Sequence, residues 1–347
     1  MVDKVYAMSC FLQFRAVYNQ HVKFSEKMGV PTKSDASVAN FRMQINTPQE
    51  LHNYLESFVK RETAKGKIAL ALSGGIDSAI LAKFMPKGSV AYTFKCIVPD
   101  KNVTDETIKA KQFCDMNGLE HRVVEIFWED FLKNAPVLMK RKNAPIHSIE
   151  VQIYKAAVQA KQDGFDRLLF GEGADAVFGG LNSLLSKDYT IGDFVERYSF
   201  VMPYKVLKQP MLILEPYIKY CNNGYMDVHG FIDNQFFWEY MNSYFNACQC
   251  ANVEFVTPFI SLIHKPLDMQ RVRRGDSKYL VREVFKHLYP GIEMAPKTPM
   301  PRPTDEWFEN WIGPKRPEFW ENCHVNMTGD QKYYIWILEH FLEVFDL

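Results

Sequence analysis

Two glycine-rich segments, each after a short apolar run, carry side chains whose types and spacing suit phosphate chemistry. The first is Ser73-Gly-Gly-Ile-Asp-Ser78, and the second is Gly171-Glu-Gly-Ala-Asp175. A glycine turn between a strand and a helix leaves backbone N–H groups and the positive end of the helix dipole pointing at one place, which suits an anion. Asp77 would repel a bare phosphate but can hold Mg²⁺ against it. The first segment therefore predicts a phosphate site, although a tight turn with capping side chains explains its shape equally well.

The chain around these segments alternates between strands and helices. Apolar runs predict strands at 68–72, 90–96, 122–126 and 167–170, and the intervening periodicity predicts helices at about 104–117 and 148–162. This spacing is typical of an α/β fold with a doubly wound parallel sheet. Because ligands of such sheets bind at the carboxyl ends of the strands, we expect Asp77, Glu172 and Asp175 to converge on one crevice.

Composition argues against several classes of partner. Lys plus Arg equals Asp plus Glu at 41 each, so neither a nucleic acid nor an anionic membrane is expected as a partner. No apolar run of membrane-spanning length and no secretory leader is seen, and the seven cysteines have no disulfide-framework spacing. We therefore expect a cytoplasmic protein. The oligomeric state is left open, with a homodimer as one option.

The two glycine segments also resemble the signatures of a known family. Ser73–Ser78 resembles the pyrophosphatase loop (PP-loop) of enzymes that split ATP into AMP and pyrophosphate. The stretch from Gly171 to Gly180 resembles the synthetase domain of asparagine synthetase and of its relative β-lactam synthetase. Further pieces of that domain are resembled in the same order at Thr93-Phe94, 256–260, 277–282 and Pro296-Lys297.

The resemblance implies an architecture and a division of the chain. The implied fold is the five-stranded, doubly wound parallel sheet of the adenine-nucleotide α-hydrolase (PP-loop) type, with helical C-terminal additions. Residues 60–315 would form the ATP-binding synthetase domain. Residues 1–59 would be an extension and a lead-in helix, which starts at the capping box Thr47-Pro-Gln-Glu50. Residues 316–347 would be a docking helix at the C-terminus.

The implied chemistry is the adenylation of a carboxylate by ATP, followed by attack of ammonia or an amine. Asp77 and Asp175 would hold Mg²⁺, Lys297 would offer a cation to the leaving pyrophosphate, and Glu172 would take a proton from the amine. Each residue also has a purely structural explanation. Asp175 could cap a turn, Lys297 could be a solvated surface charge, and Glu172 could be a structural hydrogen-bond acceptor. The resemblance assigns ATP and pyrophosphate binding to Ser73, Gly74, Gly75, Asp77, Ser78, Thr93, Gly171 and Gly173.

Departures from the family pattern concern the nitrogen donor and the acceptor pocket. Residue 2 is Val2, where glutamine-hydrolysing members carry cysteine, and the glutaminase domain is missing, so we expect no glutamine hydrolysis by this chain. Phe170, Ala176, Ser261 and Val256 replace polar or charged family residues that would bind a small zwitterion. Aspartate is therefore not expected as the substrate. Substrate contacts are predicted at Phe170, Ala176 and Ser261 and also at His147 and Glu150, for which a helix cap is an equally good explanation.

The leading hypothesis is an ATP- and Mg²⁺-dependent, AMP-forming amide ligase of a specialised biosynthetic pathway. Its partners would be a small carboxylate and ammonia or an amine, with a separate glutaminase as one nitrogen source. One alternative is a PP-loop enzyme that adenylates a nucleic-acid base, against which the balanced charge argues. The other is a non-catalytic nucleotide-binding partner subunit, against which the full set of site residues argues.

Overall fold

The protein forms a three-layered α/β body in a computed structural model. The structure describes residues 1–32, 42–294 and 300–347, without the side chains of residues 235–238. The strands are β1 (Met43–Gln44), β2 (Ile68–Ala71), β3 (Val90–Cys96), β4 (Glu120–Ile126), β5 (Arg167–Leu169), β6 (Cys221–Asn222), β7 (Tyr225–Met226), β8 (Glu254–Val256) and β9 (Leu262–Ile263). The helices are α1 (Lys4–Phe14), α2 (Pro48–Ala64), α3 (Ile76–Phe84), α4 (Thr107–Asn117), α5 (Trp128–Lys142), α6 (Glu150–Gln162), α7 (Ala174–Val177), α8 (Ile191–Tyr198), α9 (Glu215–Ile218), α10 (Val228–Trp238), α11 (Tyr240–Cys250), α12 (Met269–Arg273), α13 (Tyr279–Leu288), α14 (Thr304–Trp307) and α15 (Gly329–Val344).

The central sheet has five parallel strands in the order β4-β3-β2-β5-β8. All four residues of β2 are buried, as expected of a strand covered on both faces. Strands β2 and β5 are neighbours, with Leu70 paired to Leu169. Both glycine segments follow directly from these two strands, so they lie side by side at one edge of the sheet. This confirms the predicted five-stranded parallel architecture.

Helices cover the sheet in two layers. Helices α2, α3, α4 and α13 pack on one another, and α5, α6 and α11 form the second layer. Helix α5 was not anticipated from the sequence, and it carries Pro136 in its interior. Helices α10 and α11 follow each other directly and are separated only by Glu239. Buried Glu239 contacts Arg15, so a tertiary ion pair accompanies the break.

The two terminal helices pack together on the main body. Helix α1 is buried from Tyr6 to Phe14, so its apolar residues surround the helix and no one-sided periodicity marks it in the sequence. Helix α15 begins with a capping box formed by Thr328 and Gln331. The rings of Phe11 and Tyr334 meet edge to face at 6.1 Å. None of the described helices is long and apolar enough to cross a membrane.

Candidate active site

The first glycine segment folds back on itself through two serine hydroxyls. The Ser73 N–H donates to Ser78 Oγ at 3.1 Å, and the Gly75 N–H donates to Ser73 Oγ at 3.2 Å. The two hydroxyl oxygens lie 2.9 Å apart. Helix α3 follows, with Gly75 at its N-cap and no side chain capping it. The first N–H groups of α3 have no partner within the helix, so they are the donors that this turn presents to an anion.

A layer of hydrogen bonds below the turn fixes the end of β2. The Thr93 hydroxyl, which is buried, donates to the Leu72 carbonyl at 2.8 Å. His121 Nε2 lies 2.9 Å from the same hydroxyl. Thr93 therefore supports the turn from beneath, through its contacts with the Leu72 carbonyl and with His121.

The second glycine segment lies against the start of α3. A Cβ on Gly171 would lie 2.9 Å from the backbone nitrogen of Ser78 and 3.1 Å from the Cβ of Asp77. Only a glycine lets the two turns approach this closely without displacing backbone atoms. Gly173 is the N-cap of α7, and Asp175 lies in the first turn of that short helix. The two segments are therefore one continuous surface.

One lysine joins the two carboxylates that the segments carry. Lys278 Nζ contacts Asp77 Oδ2 and lies 3.2 Å from Asp175 Oδ1. The Lys278 side chain is 8% exposed, against 20% for Asp77 and 28% for Asp175, so the cation is below and the carboxylates face outward. A Cβ on Gly180 would lie 1.9 Å from Asp175 Oδ1 and 2.6 Å from Lys278 Cδ, so the bare glycine makes room for this contact.

Electrostatic attraction decides the charge of Lys278. Burial alone would lower its pKa, but the attraction of Asp175 and Asp77 outweighs burial and raises the pKa above its ordinary value. Lys278 also has a left-handed backbone with φ of 56°, at the N-cap of α13. A non-glycine residue held in this region carries backbone strain, which is found most often at functional sites. The site therefore keeps a fixed ammonium beside two carboxylates.

The two carboxylates carry the oxygen donors that a magnesium ion would need. Asp77 and Asp175 are close enough to contact a single cationic nitrogen, and their hard oxygens are the ligands that Mg²⁺ prefers. Among the described residues no group of three or more His, Cys, Asp or Glu side chains could hold a metal. Mg²⁺ would accordingly complete its coordination with water and phosphate oxygens, which is its usual manner of binding.

Glu172 is held between a threonine and a tyrosine. Its carbonyl accepts a hydrogen bond from Thr257 Oγ1 at 2.6 Å. The Glu172 carboxylate accepts a hydrogen bond from the Tyr244 hydroxyl. Burial, followed by the negative charge of Glu172, raises the pKa of Tyr244 well above its ordinary value. Tyr244 therefore stays protonated and acts as a donor to Glu172.

A lysine of the neighbouring helix lies across the first turn. A Cβ on Gly74 would be 3.1 Å from Lys109 Cβ and 3.2 Å from Lys109 Cδ. Lys109 is exposed on α4, and no ion pair involves it among the described residues. Its ammonium group can therefore reach an anion bound on the turn without giving up a protein partner.

His147 and Glu150 are buried in a polar network of their own. Glu150 forms an ion pair with Lys142 and accepts hydrogen bonds from the His147 N–H at 2.8 Å and from Asn246 Nδ2 at 2.9 Å. His147 Nε2 lies 3.3 Å from the Tyr334 hydroxyl. The structure gives both side chains structural partners and does not bring them together with Asp77. The N-cap of α6 is Ile149, without a side-chain cap hydrogen bond, so Glu150 is the buried partner of Lys142 rather than a helix cap.

The residues expected around the acceptor pocket differ in how deeply they are buried. Phe170 is buried and packs edge to face against Tyr244 at 5.1 Å. Ala176 is buried within α7, and partly buried Ser261 lies in the short 3₁₀ turn after Pro258. Lys297 lies outside the described residues. Phe170 thus supports the Tyr244 ring that faces Glu172.

Three residues of the site were not assigned from the sequence. Lys278 belongs to a segment that resembles the family, yet only the fold reveals that its side chain reaches both aspartates. Tyr244 and Lys109 belong to helices without a motif. No sequence signal marked Lys109, because its closeness to the first glycine segment depends on how α4 packs beside α3. No sequence motif marked Tyr244, because α11 lies far along the chain from Glu172 and only the fold brings the two side chains together.

Comparison with known proteins identifies one family. The family model described as asparagine synthase matches residues 50–239, which is more than half of the chain. A curated protein of Methanocaldococcus jannaschii, provisionally named asparagine synthetase (glutamine-hydrolyzing) 1, is 26% identical over 145 residues. That match covers 40% of this chain and 26% of the relative, so it spans about a quarter of the relative's length.

Solved structures are similar only at low scores. The NH₃-dependent NAD synthetase of Campylobacter jejuni is 14% identical over 39% of this chain and 61% of its own, with a TM-score of 0.26. The U34-tRNA thiolase of Methanococcus maripaludis is 17% identical over 71% of this chain and 80% of its own, with a TM-score of 0.28. The NMN synthetase of Francisella tularensis is 12% identical over 73% of this chain and 100% of its own, with a TM-score of 0.29.

Proposed function

The chain belongs to the asparagine synthase family, and from this premise we propose that it is an ATP-dependent, AMP-forming carbon–nitrogen ligase. It would adenylate a substrate carboxylate and pass the acyl group to ammonia or an amine. The observation that carries the proposal is the contact of Lys278 with both Asp77 and Asp175 beside the first glycine turn. Such a set of fixed charges is suited to a polyphosphate that gains charge as it leaves.

In the first step a carboxylate oxygen of the substrate attacks the α-phosphorus of ATP. The bond from that phosphorus to the bridging oxygen breaks, and pyrophosphate leaves with the electron pair. The N–H groups at the start of α3 would hold this pyrophosphate, and Lys278 and Lys109 would balance its charge. Mg²⁺, held by Asp77 and Asp175, would supply further charge neutralisation at the same phosphates.

In the second step nitrogen attacks the acyl carbon and AMP leaves. The attacking nitrogen must lose a proton, and Glu172 is the carboxylate of the second turn that would receive it. The Tyr244 hydroxyl, hydrogen-bonded to Glu172, would orient that carboxylate. The nitrogen would be free ammonia, an amine of a second substrate or ammonia from a separate glutaminase. Because Phe170 and Ala176 are apolar and buried near Glu172, we propose that the acid is not aspartate.

The nucleotide products provide the test. The full chain is incubated with ATP, MgCl₂, ammonium chloride and a panel of carboxylic acids, and the nucleotides are separated by chromatography. We expect AMP and pyrophosphate to form with at least one acid. Formation of ADP would refute adenylation. Turnover with transfer RNA in place of an acid would instead favour the nucleic-acid alternative.

A further inference from the structure

A cavity of about 480 Å³ opens on the side of the protein where the chain's two ends meet. Arg15, just after α1, and Gln331, at the start of α15, belong to its lining. Neither residue falls within the 50–239 region that matches the family. The volume lies within the range of about 300–1,000 Å³ that small-molecule pockets occupy. This chain's own additions therefore complete a ligand-sized space.

The lining changes in character from the mouth of the cavity inward. Ser183, Arg197 and Thr328 are exposed at the mouth. Tyr198 and Ile232, which are buried, supply apolar wall, and aromatic Phe200 and Tyr240 add to it. Aromatic walls of this kind favour a ligand with a flat apolar body, since rings pack at their faces and edges.

Arg15 belongs to the wall of the cavity and is almost fully buried. Its side chain is 3% exposed, and its backbone is left-handed with φ of 57°. The guanidinium contacts Glu239, donates to the Tyr240 hydroxyl at 2.8 Å, and lies 3.2 Å from the centre of the Phe200 ring. Arg15 is therefore held in the wall of the cavity by its own acidic and aromatic partners.

Charges around the cavity are largely balanced by pairs. Glu239 neutralises Arg15, and the carboxylate of Asp330 is held by Arg302, whose Nη2 lies 2.8 Å away. Glu196 and Arg197 add one charge of each sign at the mouth. An uncharged ligand body therefore fits the cavity better than a small zwitterion, which needs separate partners for both of its charges.

The cavity shares structural elements with the candidate active site. Leu181 of its lining directly follows Gly180, the glycine that makes room for Asp175. Tyr240 stands four residues before Tyr244 on α11, so both tyrosines lie on one face of that helix. Ile232 lies on α10, which packs on α7. A ligand in the cavity would therefore lie beside structural elements that also carry or support Glu172 and Asp175.

We propose that this cavity is the pocket for the acyl substrate, and that the substrate is a ring-bearing carboxylic acid. The proposal rests on the proposed function. The carboxylate of the substrate would lie toward Asp175 and Lys278, and its ring would pack against the aromatic lining of the cavity. This arrangement accounts for the apolar residues at Phe170 and Ala176, where a small polar acid would be bound poorly.

Calorimetric binding of 4-hydroxyphenylacetate to the full chain tests the pocket without ATP. The Ser183→Trp variant adds a bulky ring at the exposed mouth, and Asn182→Trp adds the same ring at the adjacent exposed residue, which is not part of the lining. We expect Ser183→Trp to raise the Kd about tenfold or more, and Asn182→Trp to leave it within about twofold of the unchanged chain. In pyrophosphate exchange with ATP, the same acid should support exchange that Ser183→Trp weakens.

Several results would overturn the pocket assignment. Absence of binding to the unchanged chain at millimolar acid, or equal binding to both tryptophan variants, would do so. Exchange supported by aspartate alone and insensitive to Ser183→Trp would also refute the pocket while upholding the ligase. Conversely, binding that Ser183→Trp blocks, with no AMP formed from any acid, would uphold the cavity as a site for ring-bearing acids and refute the ligase.

Discussion

Lys278 Nζ lies 3.2 Å from Asp175 Oδ1, and the same nitrogen contacts Asp77 across the boundary between the two glycine segments. Three distant parts of the chain therefore meet at one ammonium group. The contact holds two carboxylates together that would otherwise repel each other. The positive charge of Lys278 also weakens the attraction of the two carboxylates for a divalent cation.

Replacing Lys278 by methionine should expose this competition. We expect Lys278→Met to unfold at a lower temperature than the unchanged chain in EDTA, because Asp77 and Asp175 then face each other without a cation. Saturating MgCl₂ should raise the unfolding temperature of the variant by about 3 °C more than that of the unchanged chain. Thermal unfolding followed by circular dichroism measures both values. Lys155→Met, which removes the partner of the single carboxylate of Asp130, is the control and should show no added magnesium effect.

Lys109 should contribute to ATP binding rather than to folding. Lys109→Ala removes an exposed cation that lies across Gly74, and we expect the KM for ATP to rise about tenfold. The unfolding temperature should stay the same because the side chain has no ion pair in the described structure. Lys111→Ala is the matched control on the same helix, since Lys111 pairs with Asp115 on the exposed surface. An equal change of KM in both variants would mean that only the general surface charge matters.

Glu172 should separate the two chemical steps. Glu172→Gln keeps the size of the side chain and removes the proton acceptor. We expect amide formation to fall by about 10²–10⁴-fold, and exchange of labelled pyrophosphate into ATP to remain within about tenfold of the unchanged rate. A loss of exchange as large as the loss of amide would place Glu172 in the adenylation step instead. Tyr244→Phe should weaken amide formation less, because it removes only the hydrogen bond that orients the carboxylate.

The buried imidazole of His147 should cause the free energy of unfolding to fall as the pH is lowered into mild acid. Burial, together with the nearby positive charges of Arg15, Arg302 and Lys142, holds the pKa of His147 well below its ordinary value. Below about pH 6.5 the unfolded chain binds a proton that the folded chain does not, so this contribution to the free energy of unfolding falls by about 1.4 kcal/mol per pH unit. Above pH 6.5 the contribution is constant. Urea unfolding between pH 7.5 and 5 measures the slope.

The histidine variants identify the source of that slope. His147→Gln cannot take up a proton, so its free energy of unfolding should depend less steeply on pH than that of the unchanged chain. His21→Gln, at an exposed histidine, should keep the original slope. An unchanged slope in His147→Gln would show that other buried groups dominate the acid response.

The sequence was most informative where one physical pattern fixes one element. Apolar runs located four of the five strands, and the capping box at Thr47 and Glu50 is formed as predicted. The pairing of β2 with β5 follows from the parallel topology that the strand–helix spacing predicts. The short edge strand β8 was not located, since three residues carry too little periodicity.

Long-range side-chain contacts were beyond the reach of periodicity. Nothing local indicates that Lys278 reaches Asp77, because the meeting depends on how α13 docks against α3. For the same reason, Arg15 in the N-terminal extension gave no sign of bordering a cavity. His147 stood close to a family segment in sequence, yet the fold directs its side chain toward Tyr334. Sequence proximity to a motif is therefore a poor guide to membership of the site.

The missing side chain at residue 180 has a consequence for how this protein tolerates change. Because a single methyl group there would overlap the Asp175 carboxylate and the Lys278 stem, an alanine should disable the site by adding an atom, where most inactivating substitutions act by taking one away. In a library of all twenty amino acids at this position, selected for folded protein, many variants should survive. When the library is selected for turnover, glycine alone should remain. The number of residue types that pass the first selection and fail the second would show that glycine is required here for activity rather than for folding.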